Sequence, residues 1–125
     1  MTRVVVTGMG VISPLGVGVS HNWQQLINKK SGLGLIEHFD CSDMAVKIAG
    51  MVPRGNEKNS FNPDDLIEPK EQRKMSNFII YAIAAAQEAI EDANLGNSPE
   101  ILDNTGVIIG ACIGGLKEID DHAII

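Results

Sequence analysis

At 125 residues the chain has room for one domain at most, and its net charge of −6 argues against the basic surface that nucleic-acid binding requires. Apolar residues at 44% and charged residues at 21% match ordinary globular proteins and argue against fibrous or disordered classes. Two widely separated cysteines, Cys41 and Cys112, in a chain without secretory features argue against a disulfide framework and for a reducing cytosol.

In chain order, Arg3 to Met9 is a β-branched run closed by Gly8, Gly10 and then Pro14. It reads as a strand buried on both faces, followed by a tight loop. No signal or membrane segment develops before that proline, so a soluble, cytoplasmic protein is expected. Ser20 is suited to cap a helix in which Trp23, Leu26 and Ile27 share a face, with Gly32 to Gly34 ending it. Residues 35 to 52 are mixed, Val46 to Val52 suggesting a short strand, and Pro53 to Pro63 is a loop.

From Pro69 a single long helix is expected, with Pro in its first position and Glu71 in its first turn. Its stripe runs through Met75, Phe78, Ile79, Ala82, Ile83, Ala86, Ala89, Ile90 and Ala93, to a stop at Asn94-Leu95-Gly96. Between Phe78 and Ala86 no side is polar, and a helix apolar all round is buried all round. A chain of this length can hardly wrap it, so cover from later sequence or a partner chain is expected. Gly106 to Gly110 reads as a second buried strand, leading through Ala111-Cys112-Ile113-Gly114-Gly115 into another helix. The final Ala123-Ile124-Ile125 continues an apolar helical pattern, the mark of a domain cut short. Two βα units with a long helix between them point to an α/β fold with a parallel sheet.

Four clusters carry candidate chemistry. Val4 to Gly10 resembles the opening of a dinucleotide-binding unit, but Ser13-Pro14 stands where a third glycine is needed, and Glu37 and Asp40 lie in loop-like sequence. A structural glycine turn is the better reading. Gly110-Ala111-Cys112-Ile113-Gly114 has the form of a nucleophile elbow with Cys for Ser. Its candidate bases are His21, His38 and His122, the last a poor fit at nearly three turns along one helix, and a small buried Cys between glycines is the better reading. His38-Phe39-Asp40-Cys41-Ser42-Asp43 offers several ligand types but has no second cluster to complete a metal site, so a polar loop is preferred. Finally, Lys70, Arg73 and Lys74 share one helix face, either as a solvated helix start or as a docking patch for an acidic partner.

Taken together, the strings resemble one family. Arg3 to Gly10 with Ser13-Pro14-Leu15-Gly16, Trp23, Ser31-Gly32 and His38-Phe39-Asp40 is similar to the N-terminus of the elongating, type II β-ketoacyl-[acyl-carrier-protein] synthases. Phe61-Asn62-Pro63, Pro69 to Met75 with Phe78, and Gly106 to Leu116 follow in that family's order. The resemblance implies a thiolase-like fold, layered α/β with a mostly parallel sheet. Residues 1–125 would form the N-terminal part of its first half, a partial domain truncated before the catalytic Cys. It implies a homodimeric acyltransferase that condenses an enzyme-bound acyl chain with malonyl-carrier protein, releasing carbon dioxide, with no cofactor and no metal. The nucleophilic Cys and two His would lie in later sequence, so no catalytic residue is expected here and the chain alone should be inactive.

By the same resemblance, Lys70, Arg73 and Lys74 match the helix start that meets acyl carrier protein in its acyl and malonyl forms. Ile113 and Gly114 match the acyl-pocket wall, Gly114 and Gly115 allowing close backbone approach. Cys112 departs from the Gly or Ser that relatives often carry, and the Pro53 to Asn62 loop is longer than in some of them. A non-catalytic module that binds carrier protein or a subunit is the alternative.

Overall fold

The computed structural model describes residues 2–96 and 98–123, apart from the side chains of residues 102, 117 and 122. The chain divides into two compact units: residues 10–62, and the segment up to Met9 together with the chain from Pro63 onward.

In the 10–62 unit, β1 (Ile12–Ser13) and β2 (Gly16–Val17) form an antiparallel hairpin, Ile12 opposite Val17 and Ser13 opposite Gly16. Pro14 supplies the fixed φ of a turn's first corner, and Gly16 at φ 124° takes a conformation that side-chain-bearing residues avoid. Helix α1 (Val19–Ile27) follows directly. Its N-cap is Gly18 at φ 98°, with no side-chain cap. The expected Ser20 cap is therefore corrected: the hairpin delivers the chain into helix earlier, leaving Ser20 inside the first turn. Asn28 is the C-cap and Lys29 turns out at φ 56°, ending α1 before Gly32.

Asn22, only 6% exposed, joins hairpin to helix. Its Nδ2 donates to the carbonyl oxygens of Gly16 and Gly18, each at 2.9 Å, and its Oδ1 accepts from the Ser13 hydroxyl. Ser13 Oγ also accepts the Leu15 amide at 3.0 Å. Beyond α1, β3 (Leu33–Leu35) pairs antiparallel with β4 (Ile48–Gly50), Leu35 opposite Ile48. The strand expected over Val46 to Val52 thus narrows to three residues, and its partner comes from sequence read as a helix stop. The loop from Pro53 closes on itself: the Phe61 amide donates to the Pro53 carbonyl at 2.8 Å, and the Phe61 ring is buried.

In the other unit, a 3-10 turn (Pro63–Asp65) leads to α2 (Pro69–Gln72), α3 (Asn77–Asp92), α4 (Pro99–Asp103) and α5 (Leu116–Ala123). The single long helix expected from Pro69 is two. Arg73 is the C-cap of α2, and Ser76 adopts extended backbone (ψ 153°) as the N-cap of α3, a position serine favours. The Gln72 side chain secures α2, its Nε2 donating to the Ile67 carbonyl at 2.6 Å and to Asp64 Oδ1 at 2.8 Å. Helix α3 stops as expected, with Asn94 at φ 50°. Helix α4, unforeseen, starts at Ser98-Pro99-Glu100, where Ser98 Oγ accepts the Ile101 amide at 3.3 Å.

Neither expected buried strand forms. Arg3 to Met9 and Gly106 to Gly110 carry no strand pairing; Val4 is 90% exposed and Ile108 fully so. A parallel sheet is accordingly absent among the described residues, whose two sheets are antiparallel pairs. Strands apolar on both sides require neighbours at their edges and layers on both faces, and these residues provide neither to the two runs. For the same reason the all-apolar centre of α3 is not enclosed: Ile80 is buried, whereas Phe78 and Ile83 are 38% and 37% exposed.

Candidate functional site

The first two turns of α3 and the segment entering α5 enclose an apolar groove of about 460 Å³. Phe78, Ile79, Ala82 and Ile83 line one side, following the helical i, i+1, i+4, i+5 repeat. Ile109, Gly110, Ala111, Cys112 and Gly114 line the other. No side chain in it carries a charge, so it suits an apolar group, within the size range of small-molecule pockets.

Its rim is set by close packing. A Cβ built on Gly114 would lie 2.8 Å from Cδ1 and from Cε1 of Phe78, so only glycine lets that backbone meet the ring. Ile113, between two lining residues, is not itself a lining residue and is 74% exposed. Its φ of 52° is in the left-handed region. For a β-branched residue this costs about 1–3 kcal/mol and persists only where surroundings impose it. Gly115 at φ 75° continues the turn, and its carbonyl accepts the Ile119 amide at 3.0 Å to begin α5. Of the two residues expected at the acyl-pocket wall, Gly114 is in the groove and Ile113 is at its edge.

Cys112 is a free thiol just before α5, exposed and not buried as expected, because the segment before it packs into no sheet. The elbow reading needs a strand before it and a base beside it. The strand is not formed, and His21 and His38 are engaged with the Leu15 carbonyl at 2.9 Å and with Met51 Sδ at 3.0 Å. The His122 side chain lies outside the described residues. In the His38 to Asp43 cluster, Asp40 Oδ1 accepts the Ser42 amide at 2.9 Å, and the backbone and side-chain hydrogen bonds from Ser42 hold its carboxyl below the usual carboxylate range. No group of three metal-ligating His, Cys, Asp or Glu is seen among the described residues. The glycine run at the N-terminus serves packing: a Cβ on Gly8 would lie 2.1 Å from the Ala89 carbonyl oxygen, so the absence of a side chain there lets the segment lie against α3.

Lys70, Arg73 and Lys74 are all exposed, spread over α2 and the turn after it. Lys74 Nζ pairs with Glu71 Oε1 at 2.6 Å, a solvated pair of the kind that contributes little to stability. Phe78 and Ile83 are groove residues that the sequence pattern had placed in the core stripe. Their helical spacing was visible, but which face would stay open was not. No helix among the described residues is long and apolar enough to cross a membrane.

Residues 1–123 match the family model described as Beta-ketoacyl synthase, N-terminal domain. The chain is 45% identical over 123 residues to 3-oxoacyl-[acyl-carrier-protein] synthase 2 of Rhizobium meliloti, covering 97% of this chain and 29% of that protein. It is 42% identical over 118 residues to the protein of that name from Vibrio cholerae (94% of this chain, 27% of that one). For the one from Synechocystis sp. the identity is 39% over 123 residues (98% and 28%). With the family's domain matched from residue 1 to residue 123, and less than a third of each relative spanned, the chain belongs to the beta-ketoacyl synthase family and carries sequence of its N-terminal domain.

Proposed function

We propose that these residues are the N-terminal part of a 3-oxoacyl-[acyl-carrier-protein] synthase. This acyltransferase of fatty acid elongation joins an enzyme-bound acyl thioester to malonyl-carrier protein with loss of carbon dioxide. The observation that carries the proposal is the unbroken family match over residues 1–123. The reaction needs a thiolate nucleophile and groups that stabilise the oxyanion formed on decarboxylation, and we assign both to sequence beyond these 125 residues. In the full homodimeric, cytoplasmic enzyme the Arg3 to Met9 and Gly106 to Gly110 runs take places in the mostly parallel sheet of a thiolase-like fold.

Within that reading, Lys70, Arg73 and Lys74 form the docking surface for acyl carrier protein. Their exposure supports this, since charge complementarity steers an acidic partner chiefly through accessible groups. Ile113 and Gly114 belong to the acyl-pocket wall, supported by the apolar lining around Gly114.

Two measurements test the proposal. Condensation of acyl and malonyl groups on carrier protein by the 125-residue chain should be undetectable; turnover that disappears in Cys112→Ser would overturn the assignment of the nucleophile elsewhere. Binding to acyl carrier protein should weaken at least tenfold in Arg73→Glu, and unchanged binding would remove the docking role.

A further inference from the structure

We infer that Phe78 is a positioning residue: stacked on Gly114, it holds Ile113 in its left-handed conformation and so sets the rim of the apolar groove. The inference rests on the acyl-chain reading of that groove.

Three observations meet at one point. Ile113 has φ 52°, a conformation a β-branched residue does not adopt without support. The next residue, Gly114, lies so close to Phe78 that three ring atoms would fall within 2.9 Å of an added Cβ. Phe78 is also a lining residue, on the second residue of α3, whose geometry fixes the direction from which the ring arrives. Gly115 is held from the same side, with Ser76 Oγ 3.1 Å from its would-be Cβ. Residues 114 and 115 are therefore pinned against the start of α3, while Ile113 stays 74% exposed. Nothing about the Ile113 side chain itself demands a positive φ; the constraint comes through its neighbour's backbone.

If the ring is removed, Ile113 is free to return to negative φ. That peptide rotation swings its side chain relative to Cys112 and Gly114, changing the rim that a chain entering the groove meets. Phe78 thus acts on the acyl site through Ile113, in addition to filling space.

The test compares Phe78→Ala, Phe78→Tyr and Gly114→Ala with the unaltered chain. The one-bond Cα–Hα coupling of Ile113 reports the sign of φ, and the amide shifts of residues 82–91 report that α3 is intact. The unaltered chain and Phe78→Tyr should give the positive-φ value. Phe78→Ala should shift it to the negative-φ value with α3 retained. Gly114→Ala, which displaces the ring from the opposite side, should do the same and covers the case in which Phe78→Ala fails to fold. A positive-φ value that persists in either folded variant overturns the inference. Titration with a fluorescent long-chain fatty acid provides the second readout, with binding at least fivefold weaker wherever Ile113 has switched. If the unaltered chain binds no probe, the acyl reading fails, and the coupling alone then decides the role of Phe78.

Discussion

The Met9 amide donates to Asp92 Oδ2 at 2.9 Å, joining positions 83 residues apart in sequence. It is a long-range fastening of the N-terminal segment to the last turn of α3, made by a segment with no strand partner. A charge-assisted hydrogen bond of this kind is among the stronger ones, although this one is exposed. Asp92→Asn, which keeps an acceptor without the charge, should cost less than Asp92→Ala, for which we expect about 0.5–1.5 kcal/mol. Urea denaturation gives the free energies, and faster hydrogen exchange at Met9 gives the local effect.

One residue earlier, Gly8 should tolerate no side chain. Its added Cβ would lie 2.5 Å from the Ala93 amide nitrogen and 2.8 Å from the Ala93 Cβ, contacts with backbone and a methyl group that cannot rotate away. Gly8→Ala is expected to destabilise by about 1–3 kcal/mol and to lose the Met9 hydrogen bond with it. Gly34→Ala is the contrasting control, since nothing lies within 4 Å of a Cβ there.

The Asn22 clamp should be the most sensitive polar position of the 10–62 unit. Asn22→Ala removes three hydrogen bonds and strips the Gly16 carbonyl of its 2.9 Å donor in a buried setting. We expect a loss of about 2–4 kcal/mol. Asn22→Asp should be nearly as damaging, because a carboxylate cannot donate to the Gly16 and Gly18 carbonyls. Trp23, the only tryptophan in the chain, reports the transition by fluorescence.

Asp40 gives a pH prediction. Its carboxyl is held below the ordinary value by hydrogen bonds from Ser42. A depressed folded-state value favours the folded loop above the unfolded-state pKa, and that contribution is lost as pH falls through the folded value. Carboxyl-carbon NMR should place the Asp40 midpoint below the ordinary aspartate value, with the Ser42 amide resonance moving in the same titration. A midpoint at or above that value would contradict the hydrogen-bonded geometry.

Where the sequence could be read, the determinants were local. The stripe from Phe78 to Ala93 marked α3, Asn94 marked its end, and Pro69 marked the start of α2, because helix signals sit within a turn or two of what they specify. The long helix breaks between Arg73 and Ser76, where the stripe alone showed continuity through Met75. Strand β4 lies within the run expected over Val46 to Val52, whereas β3 was missed because Gly34 looks like a terminator and because its pairing with Ala49 is set by register across an irregular loop. Arg3 to Met9 and Gly106 to Gly110 have strand composition, yet pairing is a property of neighbours, and composition does not supply them. At the groove, Gly114 was reached through the family resemblance, whereas Phe78 was concealed among core positions. Its distinguishing contact, with a residue 36 positions away, is purely tertiary.

The bare Val4 to Val6 and Val107 to Ile109 runs have a colloidal consequence. Short, uncharged, β-branched stretches without paired edges are templates for strand addition between molecules. Together with few buried apolar side chains among the described residues, they make dispersal of the isolated chain depend on its concentration, despite the net charge of −6 that keeps copies apart. Every affinity measured with it is therefore a competition between its ligand and other copies of itself, and dilution is the variable that separates the two.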